Sequence, residues 1–165
     1  MTLSSSSLLP AEANTPMAGS THPSDGDSTF ISAAPLDIVS LLRDAHHPAA
    51  GAVVLFSGEV RDHNKGREVA YLEYEAYYAM ADKIIRGILA DATEKWQLKI
   101  AVARHRVGRL QIGEAAVVVI TASAHRKEAY EANEYIIHRI KHEAPIWKCE
   151  YFPDGTHQWG NNCHC

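Results

Sequence analysis

Cysteine is nearly missing from this chain. Its 165 residues hold three, at positions 149, 163 and 165. An odd number crowded at the C-terminal end excludes a disulfide framework and fits a reducing compartment. Long apolar runs are also missing: none approaches the roughly 20 residues that span a bilayer. The first basic residue is Arg43, so the N-terminal stretch has neither the charged start of a secretory leader nor the arginines of a transit peptide. Positive charge is not in excess either. The formal net charge of -4 argues against a protein that coats nucleic acid, and any anion site must be local. Two catalytic signatures are absent as well, the Gly-rich phosphate loop and the serine nucleophile elbow.

Histidine is plentiful, with ten in the chain. No pair of them has zinc-like spacing backed by nearby cysteines, and Cys163-His164-Cys165 at the chain end makes a poor closed site. Neither a metal nor a cofactor is expected.

Residues 1–34 are rich in Ser, Thr, Pro and Gly and read as a flexible tail. A single domain is expected over 35–160, with 161–165 as a C-terminal tail. Pro35 to Ala45 carries a short apolar helical face. Gly51–Val60 (GAVVLFSGEV) is a near-continuous apolar run, expected as a strand buried on both faces. It ends in turn chemistry at Arg61–Gly66, and Glu68–Tyr77 alternates as a second strand, expected to pair with the first as a hairpin. The periodicity predicts a helix over Tyr78–Trp96 with Met80, Ile84, Ile85, Ile88, Leu89 and Ala92 as its stripe. Strands at Lys99–Gly108 and Ala115–Ala124 flank a turn at Leu110–Glu114. A last helix over His125–His142 follows, capped by Ser123, and then a short strand and an Asp154-Gly155 hairpin. The order is that of an α+β fold: one mixed or antiparallel sheet with helices on one face.

The candidate site centres on KHEAPIWKCE, Lys141 to Glu150. Pro145 must end the helix carrying Lys141, and Lys148 follows on an extended segment, so two elements aim two cations at one place. Apolar walls and neighbouring cations disfavour the ammonium form of a lysine and suit it to acid–base or acyl-accepting work. The bland alternative is a snorkelling surface lysine. His125 and Arg126 stand where a core strand hands over to a helix, a favourable place for phosphate or carboxylate. Arg61 ends a buried strand at a loop, while His63 and Asn64 read as turn residues. His105 and Arg106 lie within a strand, where a histidine more often makes a structural hydrogen bond. Sixteen residues of helix, at about 1.5 Å each, separate His125 from Lys141 by roughly 24 Å. If both serve one anion, the pocket is composite and the protein a two-fold dimer.

Taken together, GAVVLFSGEVRDHNKG, LEYEAYYAMA, HRVGRLQIGE, ASAHRKEAYEA and IKHEAPIWKCE resemble, in that order and spacing, the catalytic large subunit of molybdopterin synthase, over residues 35–159. The resemblance implies a hammerhead-type α/β domain, a sulfurtransferase acting in molybdenum cofactor biosynthesis, and a cytoplasmic homodimer. Each end of that dimer would bind a small ubiquitin-like sulfur carrier, giving a heterotetramer. The implied reaction converts precursor Z, a cyclic pyranopterin monophosphate, to molybdopterin, whose dithiolene later holds molybdenum. Two sulfurs come from the thiocarboxylated C-terminal glycine of the small subunit; no nucleic acid or membrane takes part. Carried over by matching position, Lys141 is the catalytic lysine and Lys148 its partner in binding and turnover. Arg61, His125 and Arg126 contact the substrate, with Glu59, Val60, Cys149 and Glu150 also expected at the substrate pocket, Cys149 on its rim. Cys149 stands where the family usually has a basic residue; strand alternation turns it away from Lys148, at the cost of a rim charge.

Two other functions compete on the residues alone. One is a non-enzymatic α+β module that senses a nucleotide or another organic anion with the same cations. The other is a phosphate-ester hydrolase, which lacks a convincing base or metal.

Overall fold

The computed structural model describes residues 29–161. Along the chain run β1 (Ile31–Ser32), α1 (Ile38–Arg43), β2 (Ala52–Glu59), β3 (His63–Asn64), β4 (Arg67–Glu68), β5 (Tyr71–Ala76), α2 (Tyr78–Trp96), β6 (Ile100–Arg106), β7 (Gly108–Gln111), β8 (Ala115–Ser123), α3 (Arg126–Glu143), β9 (Ile146–Tyr151) and β10 (His157–Asn161). They form a mixed α/β fold with two four-stranded sheets, ordered β1-β6-β8-β2 and β10-β9-β5-β7, and a β3–β4 ribbon. Among the described residues no helix is long and apolar enough to cross a membrane.

The strand after Arg61 does not pair back on β2, so the expected hairpin and the expected single sheet are both corrected. β2 pairs antiparallel with β8, whereas β5 lies between β9 and β7 in the second sheet. The turn residues instead make the small β3–β4 ribbon, closed by Lys65 and Gly66 at φ 49° and 77°, the left-handed pair of a type I′ turn. Nor is Leu110 in a turn. Gly108, at φ 83°, lets the chain leave β6 and enter β7 after one intervening residue, so a single stretch contributes to both sheets.

Helices α2 and α3 pack side by side on one face of the first sheet, α3 over β8 and β2 and α2 over β6 and β1. Their buried residues are Ala81, Ile85, Ile88, Leu89 and Ala92 on α2, and Ala129, Ala132, Asn133, Ile136 and Ile140 on α3. Met80, expected in the stripe, is exposed. The opposite face is not bare, as a one-sided layout would leave it: Leu36, Ile38 and Leu41 around α1 close over Val118 and Ile120. Two-faced burial therefore belongs to β8, the inner strand. β2, expected in that role, is an edge strand and is half-buried along its length.

Asn133 pins α3 to the sheet. Its amide donates to the carbonyls of Val54 and Val119 at 3.1 and 3.2 Å, and Thr121 Oγ1 donates to Ala129 O at 2.7 Å. The domain also starts earlier than residue 35. Phe30 and Ile31 are buried, β1 pairs parallel with β6, and Asp82 on α2 accepts from the backbone N–H groups of Thr29 and Phe30. A two-residue strand carries too little periodicity to stand out from a polar stretch. The rest of the expected tail, residues 1–28, lies outside the described residues, as does Cys163-His164-Cys165.

Candidate active site

Pro145 acts at the end of α3 as the sequence requires. Ala144 before it turns extended (φ -71°, ψ 133°), which stops the helix with Lys141 in its last turn. Ala144 and Ile146 are buried and anchor the turn. From Ile146 the strand alternates: Ile146, Lys148 and Glu150 face inward, while Trp147, Cys149 and Tyr151 face the other way. The register sets Tyr74 opposite Lys148 and Leu72 opposite Glu150.

The third contribution comes from the end of β2. A register shift between Gly58 and Glu59 re-aims the chain. Val60 is then clamped, its N–H donating to Glu114 O at 3.0 Å and its carbonyl accepting from Gly113 N at 2.8 Å. Arg61 follows directly.

These pieces enclose a cleft of about 280 Å³. Glu59 and Arg61 line it from β2 and its exit, His63 and Asn64 from β3, Leu72 and Tyr74 from β5, Lys141 from α3, and Lys148 and Glu150 from β9. Lys148 Nζ lies 3.0 Å from Glu150 Oε1, with both side chains largely buried. Asn64 Nδ2 donates to the same carboxylate at 2.8 and 3.0 Å. Among the described residues neither Arg61 nor Lys141 has an ion-pair partner, and the cleft sets three cations, Arg61, Lys141 and Lys148, against the carboxylates of Glu59 and Glu150. That balance suits a phosphate-bearing ligand.

Behind Lys141 the wall is aromatic. His105 is buried, its ring 5.0 Å from that of Tyr74 in an edge-on contact, and its Nδ1 is 2.8 Å from the carbonyl of Arg106, to which it donates. Burial pushes the His105 imidazole down to about 4, and the Lys141 charge acts in the same direction. Burial likewise lifts the Tyr74 phenol to about 12, with the Glu150 charge adding to it. Near neutral pH both rings are uncharged. The floor of the cleft is thus apolar and neutral and its rim cationic.

Of the residues expected from sequence, Glu59, Arg61, Lys141, Lys148 and Glu150 meet in this cleft. Val60 is buried beside it and acts by holding the backbone. Cys149 does not belong to it, which corrects the expected place on the rim. The thiol is fully buried on the opposite face of β9, in register with Glu73 and Trp159, and burial raises its pKa. His125 and Arg126 are exposed at the far end of α3, and His125 borders a different recess with Lys95, Trp96 and Lys99. Ser123 does not cap α3: His125 holds the cap position and Ser123 Oγ donates to its carbonyl at 2.6 Å. Asn64 and Tyr74 escape the sequence reading. Asn64 looks like ordinary turn chemistry, and Tyr74 is recognisable only once β5 is paired with β9.

Comparisons with known proteins agree on one family. The family described as MoaE protein matches residues 31–143. The molybdopterin synthase catalytic subunit of Bacillus subtilis is 46% identical over 129 residues, covering 78% of this chain and 82% of that protein. The crystal structure of molybdopterin synthase from Staphylococcus aureus superposes with a TM-score of 0.75 at 43% identity, covering 79% of this chain and 95% of that one. A complex of subunits 1 and 2 of molybdopterin-converting factor from Helicobacter pylori shares the fold, with a TM-score of 0.66 at 24% identity over 79% of this chain and 88% of that one.

Proposed function

The chain belongs to the MoaE protein family, and from that membership and the chemistry of the cleft we infer that it is the catalytic subunit of a molybdopterin synthase. It is a sulfurtransferase of molybdenum cofactor biosynthesis that converts precursor Z to molybdopterin. One observation carries the assignment of the site: Arg61, Lys141 and Lys148, delivered by three separate elements, converge on one small cleft with a neutral aromatic floor.

Arg61 and Lys141 are the cations left to bind the substrate's phosphate. Lys148, held by Glu150, is positioned beside the reacting centre. Lys141, in the last helical turn against His105 and Tyr74, is the group that meets the incoming thiocarboxylate. For each sulfur delivered, a carbon–sulfur bond forms on the pterin side chain as a carbon–oxygen bond there breaks, and the carrier's acyl–sulfur bond breaks. The oxygen that restores the carrier's carboxylate comes from water, so each product consumes two loaded carriers.

Within one chain His125 and Arg126 cannot reach this cleft, because α3 separates them from Lys141 by roughly 24 Å. The reading therefore includes a two-fold dimer. The apolar, half-buried edge strand β2 supports it. Antiparallel pairing of two β2 edges sets Ala52 of one chain near Glu59 of the other. Ala52 is in register with Ser123, two residues before His125, so His125 and Arg126 arrive beside the partner's cleft. A cytoplasmic location and a heterotetramer with two small subunits complete the proposal.

The decisive experiment mixes the protein with precursor Z and a thiocarboxylated small subunit and assays for dithiolene product. Product formation is expected; its absence with a carrier shown to be loaded overturns the assignment.

A further inference from the structure

The floor of the cleft holds a hydrogen-bond donor that the protein itself does not use. Tyr74 on β5 is only 8% exposed and lines the cleft. Its hydroxyl has no hydrogen-bond partner among the described residues, yet it is not one of the polar atoms sealed from solvent; the opening it has is the cleft. Buried polar groups are as a rule bonded, and other tyrosines here follow that rule. Tyr151 donates to Glu73 at 3.0 Å, and the Tyr135 hydroxyl accepts from Arg139 at 2.8 Å. The Glu150 carboxylate is engaged by Lys148 and Asn64 and reaches the Tyr74 phenol only through its charge. The ring is nevertheless fixed, edge-on to His105 at 5.0 Å and opposite Lys148 in the β5–β9 register. A donor held rigidly without a partner is one kept for a bound group.

We propose that the Tyr74 hydroxyl is a further catalytic group, donating a hydrogen bond to the carrier's acyl oxygen as negative charge builds there. The inference rests on the molybdopterin synthase reading. Once the carbon–sulfur bond has formed, sulfur bridges the carrier's acyl carbon and the pterin side chain. Water then adds to the acyl carbon and the carbonyl electron pair moves onto oxygen. The tetrahedral centre collapses: the acyl–sulfur bond breaks, sulfur stays on the pterin with the bonding pair, and both water protons pass to solvent. The oxyanion formed on the way is stabilised by donors fixed in advance. Lys141 supplies charge and Tyr74 an O–H. Burial and the Glu150 charge lift the phenol to about 12, so its proton stays in place and it acts as a donor, not as a base. The neutral His105 beneath it, with Nδ1–H given to the Arg106 carbonyl, brings no competing charge.

Tyr74→Phe tests the role, because it removes the hydroxyl and keeps the ring against His105. With a thiocarboxylated carrier and precursor Z, kcat falls by about 10²-fold, while KM for either reactant stays within about twofold. Acid-quenched single turnovers, read by intact mass, show the carrier joined to the pterin through sulfur accumulating in the variant. The denaturant midpoint does not fall, since the hydroxyl makes no bond within the protein; a structural role would lower it. Unchanged kcat overturns the proposal. So does a raised KM for precursor Z at full kcat, which would make Tyr74 a ground-state contact to the pterin. A slow variant that accumulates no joined species overturns it too, by placing the hydroxyl at the carbon–oxygen cleavage. Failure of the unaltered chain to form product would instead remove the functional reading on which the role rests.

Discussion

His105 lies edge-on to Tyr74 at 5.0 Å beneath the cleft, and this buried imidazole senses the charge of Lys141. Its pKa falls from 6.5 to about 4 on folding. Between those values the unfolded chain binds more protons than the folded one, so stability rises with pH across the window and is lost as pH falls through it. The single group accounts for up to about 3 kcal/mol. Glu114 and Glu143 also have lowered pKa values, from hydrogen bonds to Gln111 and Arg139 respectively. They act only below the ordinary carboxylate range, so the His105 contribution is read between about pH 6.5 and about 4.5. Urea unfolding at several pH values should show this slope, and His105→Phe should flatten it.

Breaking the Lys148–Glu150–Asn64 cluster in the wall of the cleft affects stability and turnover together. Glu150 balances Lys148 and accepts from Asn64. Glu150→Ala leaves a largely buried ammonium without its counter-charge, a change that costs about 3 kcal/mol in comparable pairs. Glu150→Gln keeps the shape and an acceptor for Asn64, so it should lose less stability yet still lower kcat. Equal stability losses in the two variants, measured by denaturant midpoints, would mean that the charge is immaterial.

Much of this layout was legible because strong periodicity leaves little choice. The helix over Tyr78–Trp96 runs as its apolar spacing predicts, and Pro145 ends α3 where local sterics demand. The separation of His125 from Lys141 follows from helix rise alone. What escaped depends on partners distant in sequence. The apolar run of β2 looks like that of an inner strand, yet strand order puts it at an edge. The crossing of the chain from β6 to β7 hangs on one backbone conformation at Gly108. Tyr74 enters the site only through its pairing with Lys148. Patterns report which side chains want burial; they do not report which strand supplies the neighbour.

Two glycines should respond oppositely to alanine. Gly108 has φ 83° at the corner between the sheets, and Gly108→Ala should destabilise by about 1 kcal/mol or more. Gly87 is in mid-helix on an exposed face of α2, with nothing within 4 Å of an added Cβ. Gly87→Ala should stabilise by about 0.5–1 kcal/mol. Thermal melts of both variants check the signs.

The buried amide of Asn133 joins α3 to two strands at once. Asn133→Ala removes the donor shared by the Val54 and Val119 carbonyls and leaves a void above β8, at about 2 kcal/mol or more. Asn133→Asp should cost more, because a carboxylate offers no donor to either carbonyl. Denaturant unfolding of the pair gives this ranking; the reverse order would show that packing, not the amide donor, matters at this position.

Lys141 and Arg61 border the same cleft but should fail in different ways. Arg61 leaves the sheet as a cation with no ion-pair partner among the described residues, and its guanidinium can grip a phosphate in the ground state and the transition state alike. Arg61→Ala should therefore raise KM for precursor Z more than it lowers kcat. Lys141 stands over the His105–Tyr74 floor, where charge on the departing acyl group is met as it develops. Lys141→Ala should lower kcat by about 10²–10³-fold while substrate binding changes only a few-fold. Single-turnover assays with pre-loaded carrier, set beside equilibrium titration of precursor Z, separate the two effects. A Lys141→Ala protein that lost only affinity, with its turnover at saturation intact, would fit an anion-binding module rather than a sulfurtransferase.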